Sequence, residues 1–168
     1  RIELLTNKII VSIFKYLNFD VFINDIIKML DIIKNINPEE NKVKTITLNK
    51  QNSIISTETN SFDELTFILN EPLLSSIRNP SIPFENFEYA NDEFCLAKDN
   101  YRCKISSNCR KREVPEEYEI NLNISVTDSQ ISNYEDITSK LKNINNFIFS
   151  VFCWATTEKF KDIMNEEN

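Results

Sequence analysis

No histidine and no glycine occur anywhere in the chain. The first absence removes every mechanism that relies on an imidazole trading protons near neutrality: Ser-His and Cys-His nucleophiles, HExxH metalloprotease helices and Cys2His2 fingers. The second removes phosphate-cradling loops and the dinucleotide fingerprint, which need glycine where the backbone approaches the ligand. At ordinary usage, a chain of this size would hold roughly a dozen glycines. Asn and Asp must therefore fill most left-handed turn positions, since their short side chains tolerate positive φ best among the residues present. Long hydrophobic runs are lacking too. The longest, around Ile9–Tyr16 and Phe147–Ala155, fall short of the roughly 20 residues of a membrane span, so no membrane partner is expected. No pair of carboxylates is set apart by an apolar setting that would raise one pKa, so enzymatic activity is not expected either.

What is present suits one folded domain: 168 residues, 41% hydrophobic and 11% aromatic, with a formal net charge of -7. The chain begins at Arg1 rather than Met and is read as a processed or excerpted piece, which leaves targeting open. The Asn, Ile and Lys bias fits an AT-rich genome.

Residues 1–37 read as a helical N-terminal segment. Phe22, Ile23, Ile26, Ile27, Leu30 and Ile33 recur at three- and four-residue spacing, the pattern of an amphipathic helix ending before Pro38. The preceding Lys8–Leu17 stretch is compatible with a short helix or a buried strand. Lys42–Leu48 and Ser53–Thr59 flank a polar Asn49–Asn52 stretch and read as a hairpin, Glu64–Leu69 reads as a strand, and Pro72, Pro80 and Pro83 mark a loop-rich passage through Tyr89. From Tyr118 to Asp128 the alternation is strict, with Tyr118, Ile120, Leu122, Ile124 and Val126 on one face of a strand. Tyr134–Ile144 carries Ile137, Leu141 and Ile144 at helical spacing, Phe147–Thr156 reads as an aromatic-rich strand, and Phe160, Ile163 and Met164 suggest a terminal helix.

Residues 94–112 form a cysteine-bearing basic insertion. Lys98, Arg102, Lys104, Arg110, Lys111 and Arg112 lie within fifteen residues, with only Asp99 and Glu113 close by in opposition. Such a patch can neutralise phosphates, and its alternative reading is a solvated loop paired with the chain's acids. Arg102, Lys104, Arg110, Lys111, Arg112 and Trp154 are the candidate nucleic-acid contacts, with aromatics as stacking platforms. The competing reading of Trp154 is packing. Cys95, Cys103 and Cys109, spaced x7 and x5, are the candidate zinc ligands, one short of a tetrahedral set unless Asp92, Asp99 or water completes it. The alternative for these three and Cys153 is two disulfides in a secreted domain.

The string Tyr101-Arg102-Cys103, followed by Cys109, then Tyr118-x-Ile120-x-Leu122-x-Ile124-x-Val126-x-Asp128, and after a helix Phe147-Ile148-Phe149-Ser150-Val151-Phe152, resembles a known family. It is similar over Phe94–Trp154 to the C-terminal OB-fold domain of the replication protein A large subunit and its telomere-associated relatives. The resemblance implies an α+β, OB-fold-like small closed barrel with flanking helices and a degenerate zinc-ribbon-like insertion. It further implies a non-enzymatic nuclear subunit of a hetero-oligomer, an OB-fold heterotrimer, that acts mainly as an assembly scaffold and also contacts single-stranded DNA. Phe22, Ile26 and Ile33, or Phe160 and Met164, are then the candidate partner interface, although a helix closing its own barrel would carry the same stripe. The rival expectation is a secreted or surface interaction domain held by disulfides.

Overall fold

The computed structural model describes residues 1–5, 8–13, 18–36, 42–56, 62–75, 88–112 and 117–166. In chain order the elements are β1 (Ile2–Leu5), β2 (Lys8–Val11), α1 (Phe19–Ile36), β3 (Lys42–Val43), β4 (Ile46–Ser56) and α2 (Phe62–Ile68). A 3-10 turn at Glu71–Leu74 precedes β5 (Tyr89–Lys98), β6 (Tyr101–Arg112), β7 (Glu117–Asp128) and β8 (Ser132–Asn133). A second 3-10 turn, Tyr134–Asp136, leads into α3 (Ile137–Ala155) and α4 (Glu158–Glu166). The fold is mixed α+β with antiparallel sheets. Among the described residues no helix is long and apolar enough to cross a membrane.

Two compact units divide the chain. The first joins Arg1–Lys44 to Gln130–Lys142. Of the 1–37 segment expected to be helical, only Phe19–Ile36 is helix; β1 and β2 before it pair antiparallel, with Ile2 opposite Val11 and Leu5 opposite Lys8. β-branched Ile9, Ile10 and Val11 suit a pleated ribbon better than a helix interior. α1 forms as its periodicity predicts. Asn18 caps it by accepting from the Val21 N–H at 2.9 Å, and Ile23, Ile26 and Leu30 supply the buried stripe. β3 pairs with β8, Val43 opposite Ser132.

The second unit joins Thr45–Ser129 to Asn143–Asn168 and contains a four-stranded antiparallel sheet of order β4-β7-β6-β5. β4 and β5 are its two edges, so the sheet is open and the expected closed barrel does not form. β7 is central, and its alternation is as read: Tyr118, Ile120, Leu122, Ile124 and Val126 are buried. Each such side chain contributes roughly 1.5–3 kcal/mol on leaving water. Opposite positions share a face, which adds Cys103, Ile105, Ser107 and Cys109 from β6 and Ile46 and Leu48 from β4.

Three sequence expectations change here. The Asn49–Asn52 stretch is no turn: β4 runs through it, with Asn49 opposite Ser125 and Asn52 opposite Leu122. Asn49, Gln51 and Ser53 alternate onto the solvent side, so their polarity marks a face rather than a break; Thr57–Thr59 lie outside the described residues. Glu64–Leu69 lies mostly in α2, because Leu65, Ile68 and Leu69 bury at i, i+3 and i+4. Phe147–Thr156 belongs to α3 as far as Ala155 rather than to a strand. Ile137, Leu141, Ile144, Ile148, Val151 and Ala155 are all buried at alternating spacings of four and three, a single helical stripe with no proline to interrupt it.

Helices cover one side of the sheet within this unit. Tyr101 and Phe147 rings meet at 6.4 Å, and Ser107 Oγ donates to the Leu73 carbonyl at 3.1 Å. Buried Asp92 accepts from Ser75 Oγ at 2.9 Å, which ties the same 3-10 turn to β5. Leu69 bridges Thr156 in antiparallel fashion, and Asn70 N–H donates to the Ala155 carbonyl at 3.0 Å. Thr157 then caps α4 through the Phe160 N–H at 3.2 Å, so the helix break follows from capping chemistry.

Candidate nucleic-acid interface

The cysteine-bearing stretch is the β5–β6 hairpin itself, not an insertion. Its turn is Asp99–Asn100. With no glycine in the chain, Asp99 takes the left-handed position at φ 53°. Strand geometry then spreads what the sequence clusters. Cys103 and Cys109 share the buried face but stand six residues apart, about 20 Å at strand rise, while Cys95 lies on the opposite face. They do not converge as a zinc site, and the expected ribbon is corrected accordingly. Asp92 and Asp99 do not complete it: one is turned into the core and the other sits in the turn. Among the described residues no cluster of cysteine or carboxylate side chains is arranged to hold a metal.

The same geometry removes the two-disulfide expectation. All four cysteines are free. Any two-bridge scheme must join two of Cys95, Cys103 and Cys109, and each such pair is separated by distance along the strand or by the sheet itself. Burial raises the Cys109 thiol to about 12 and also raises Cys103, first through burial and then through the neighbouring Cys95. At about pH 8 the Cys109 thiolate fraction is then on the order of 10⁻⁴. Native alkylation followed by peptide mass spectrometry is expected to label Cys95 first, and Cys103 and Cys109 only after denaturation. Early labelling of Cys109 would contradict its placement.

The polar side of the sheet is more informative. β6 alternates, so Arg102, Lys104, Arg110 and Arg112 all project onto the side away from the helices, whereas Lys98 and Lys111 align with the buried-face register. Around this row stand Thr47, Asn49, Gln51 and Ser53 from β4, Asn121, Asn123, Ser125 and Thr127 from β7, and Asn91 from β5. None of these side chains is buried, and those on the two edge strands are exposed. The row extends over about 33 Å at strand rise.

Its charges are partly held. Arg110 binds Glu119 through both Nε and Nη2, at 2.9 and 2.5 Å, and Asn121 donates to the other Glu119 oxygen at 3.0 Å. The Arg110 and Asn121 hydrogen bonds lower the Glu119 pKa. Lys104 pairs with Glu93 at 2.7 Å. Arg102 has no ion-pair partner among the described residues. Asn123 is half-buried on β7, and its Oδ1 atom is itself enclosed, without a hydrogen-bond partner among the described residues.

No protein-family model matches the chain, and no curated protein or solved structure is significantly similar to it.

Trp154 does not join the basic row. It lies half-exposed on α3, a helix of the covered side, whereas the row is on the other face of the sheet. The candidate partner residues divide similarly: Ile26 is buried, Phe22 and Ile33 are half-buried, and the Phe22 ring meets that of Phe19 at 5.9 Å in a tilted arrangement. Phe160 is half-buried and Met164 exposed, and on α3 the most exposed apolar groups are Phe149 at 63% and Trp154 at 46%. Sequence reasoning missed the Asn, Ser and Thr positions of the open face. The signal was there in Glu119, Asn121, Asn123, Ser125 and Thr127, the polar half of the β7 alternation.

Proposed function

We propose that the chain is a non-enzymatic subunit that contacts single-stranded nucleic acid on the open face of its four-stranded sheet, within a larger protein assembly. The observation that carries this reading is the row of Arg102, Lys104, Arg110 and Arg112 on one face of one strand. Four cations in line suit a phosphate backbone, and the surrounding amides and hydroxyls suit base edges and sugars. The net charge of -7 sets a limit, since attraction comes from this face alone and the affinity is modest and salt-sensitive. Assembly is supported by Phe149 and Trp154 on α3, large aromatics left in water. A replication or telomere setting rests on the Tyr101–Cys109 and Tyr118–Asp128 pieces of the resemblance, because its third piece is helical here.

Fluorescence anisotropy with a labelled oligothymidylate tests the reading. Arg102→Ala combined with Arg112→Ala is expected to flatten the dependence of log K on log salt by about 1.4, the contribution of two single-strand phosphate contacts. Lys98→Ala with Lys111→Ala removes the same charge from the other face and is expected to change the slope much less. Equal effects of the two pairs, or no salt-dependent binding by the parent chain, would refute it.

A further inference from the structure

β5 is an edge strand of unusual composition. From Cys95 to Lys98 every side chain is exposed, on both faces, and Leu96 reaches 54%. Edge strands are ordinarily blunted by proline, charge or a bulge, and the Phe94–Ala97 run has no proline or charge and pairs in continuous register with β6. The hairpin also settles which backbone groups look outward. In a two-residue turn the closing pair, here Lys98 and Tyr101, is the doubly bonded one, so even-numbered residues bond β6 while Glu93, Cys95 and Ala97 direct N–H and C=O to the outer edge.

We propose that β5 pairs with β5 of a second copy of this chain, antiparallel about Cys95, joining two four-stranded sheets into one of eight strands. Self-complementarity selects this partner and this register. Centred on Cys95, the pairing sets Phe94 opposite Leu96 of the second copy on the covered side, Glu93 opposite Ala97, and Lys98 opposite Asp92, so that no like charges meet across the seam. Neighbouring registers lack this match. Centring on Phe94 opposes Asp92 with Leu96, centring on Leu96 opposes Glu93 with Asp99, and centring on Glu93 opposes that carboxylate with itself; like charges directly across a sheet are destabilising. The pairing covers the exposed Leu96 and supplies partners to the outward backbone groups. It involves no nucleic acid and holds whether or not the open face binds any.

Sedimentation equilibrium of the full chain is the test, with two variants at exposed position 97. The parent is expected to shift from monomer to dimer as concentration rises through the micromolar range. Ala97→Glu, which sets a carboxylate against Glu93 of the second copy at two symmetric places, is expected to weaken the dimer by about tenfold, whereas Ala97→Lys leaves it unchanged or tightens it. A short bismaleimide is expected to cross-link the parent dimer and to fail with Cys95→Ser. A parent that stays monomeric, equal weakening by both Ala97 variants, or a dimer not cross-linked through Cys95 would each overturn the proposal.

Discussion

Asn146→Pro is expected to lower the stability of the chain by about 3 kcal/mol or more, read as a fall in the urea midpoint. Asn146 is an exposed residue midway along α3, and its carbonyl accepts from Ser150 Oγ at 3.0 Å. A proline there removes the N–H bonded one turn back and drives its ring into the carbonyl of that turn. Since the whole stability of a domain is about 5–15 kcal/mol, a loss of this size takes a large share of it. Asn146→Ala serves as the control and is expected to be neutral or slightly stabilising, alanine being the better helix former. The experiment separates the two readings of this segment. Were Asn145–Asn146 a loop leading into a strand, proline would be tolerated, and an unchanged midpoint would refute the helix.

Leu122→Ala is expected to cost about 2–5 kcal/mol by the same measurement, with the slope against urea unchanged. Leu122 has no exposure, and it stands on the central strand with Asn52 and Ser107 opposite it on the flanking strands. Truncation there leaves a void that neither neighbour can fill. Ser125→Ala, three positions along the same strand on the open face, is expected to change stability by no more than about 0.5 kcal/mol. Comparable losses at both positions would mean that the two faces are not distinguished as described.

α1 and β7 were legible in the sequence because each keeps one period without interruption and has a clear boundary. Asn18 caps α1 from just outside the stripe, and Asp128 closes the β7 alternation. Phe147–Ala155 was harder. Its aromatic and β-branched composition favours a strand, while the spacing of Ile144, Ile148, Val151 and Ala155 favours a helix, and the stripe shared with Ile137 and Leu141 prevailed. The Asn49–Asn52 stretch misled in the opposite sense. Four polar residues in a row look like a turn, yet in an edge strand Asn49 and Gln51 are ordinary occupants of the wet face, while Lys50 and Asn52 sit half-buried at the sheet's edge on the other.

The candidate site divides in the same way. By itself the sequence determined that imidazole chemistry and glycine-dependent nucleotide loops are excluded, that Tyr118–Val126 has one apolar face, and that cations gather between Lys98 and Arg112. These are matters of composition and local period, which no fold can alter. Only the tertiary structure decided that three nearby cysteines are far apart, that Arg102, Lys104, Arg110 and Arg112 share a face without Lys98 and Lys111, and that Trp154 lies on the helical side. The physical reason is that an extended backbone separates neighbours by about 3.3 Å per residue and sends alternate side chains to opposite sides, so closeness along the chain does not become closeness in space.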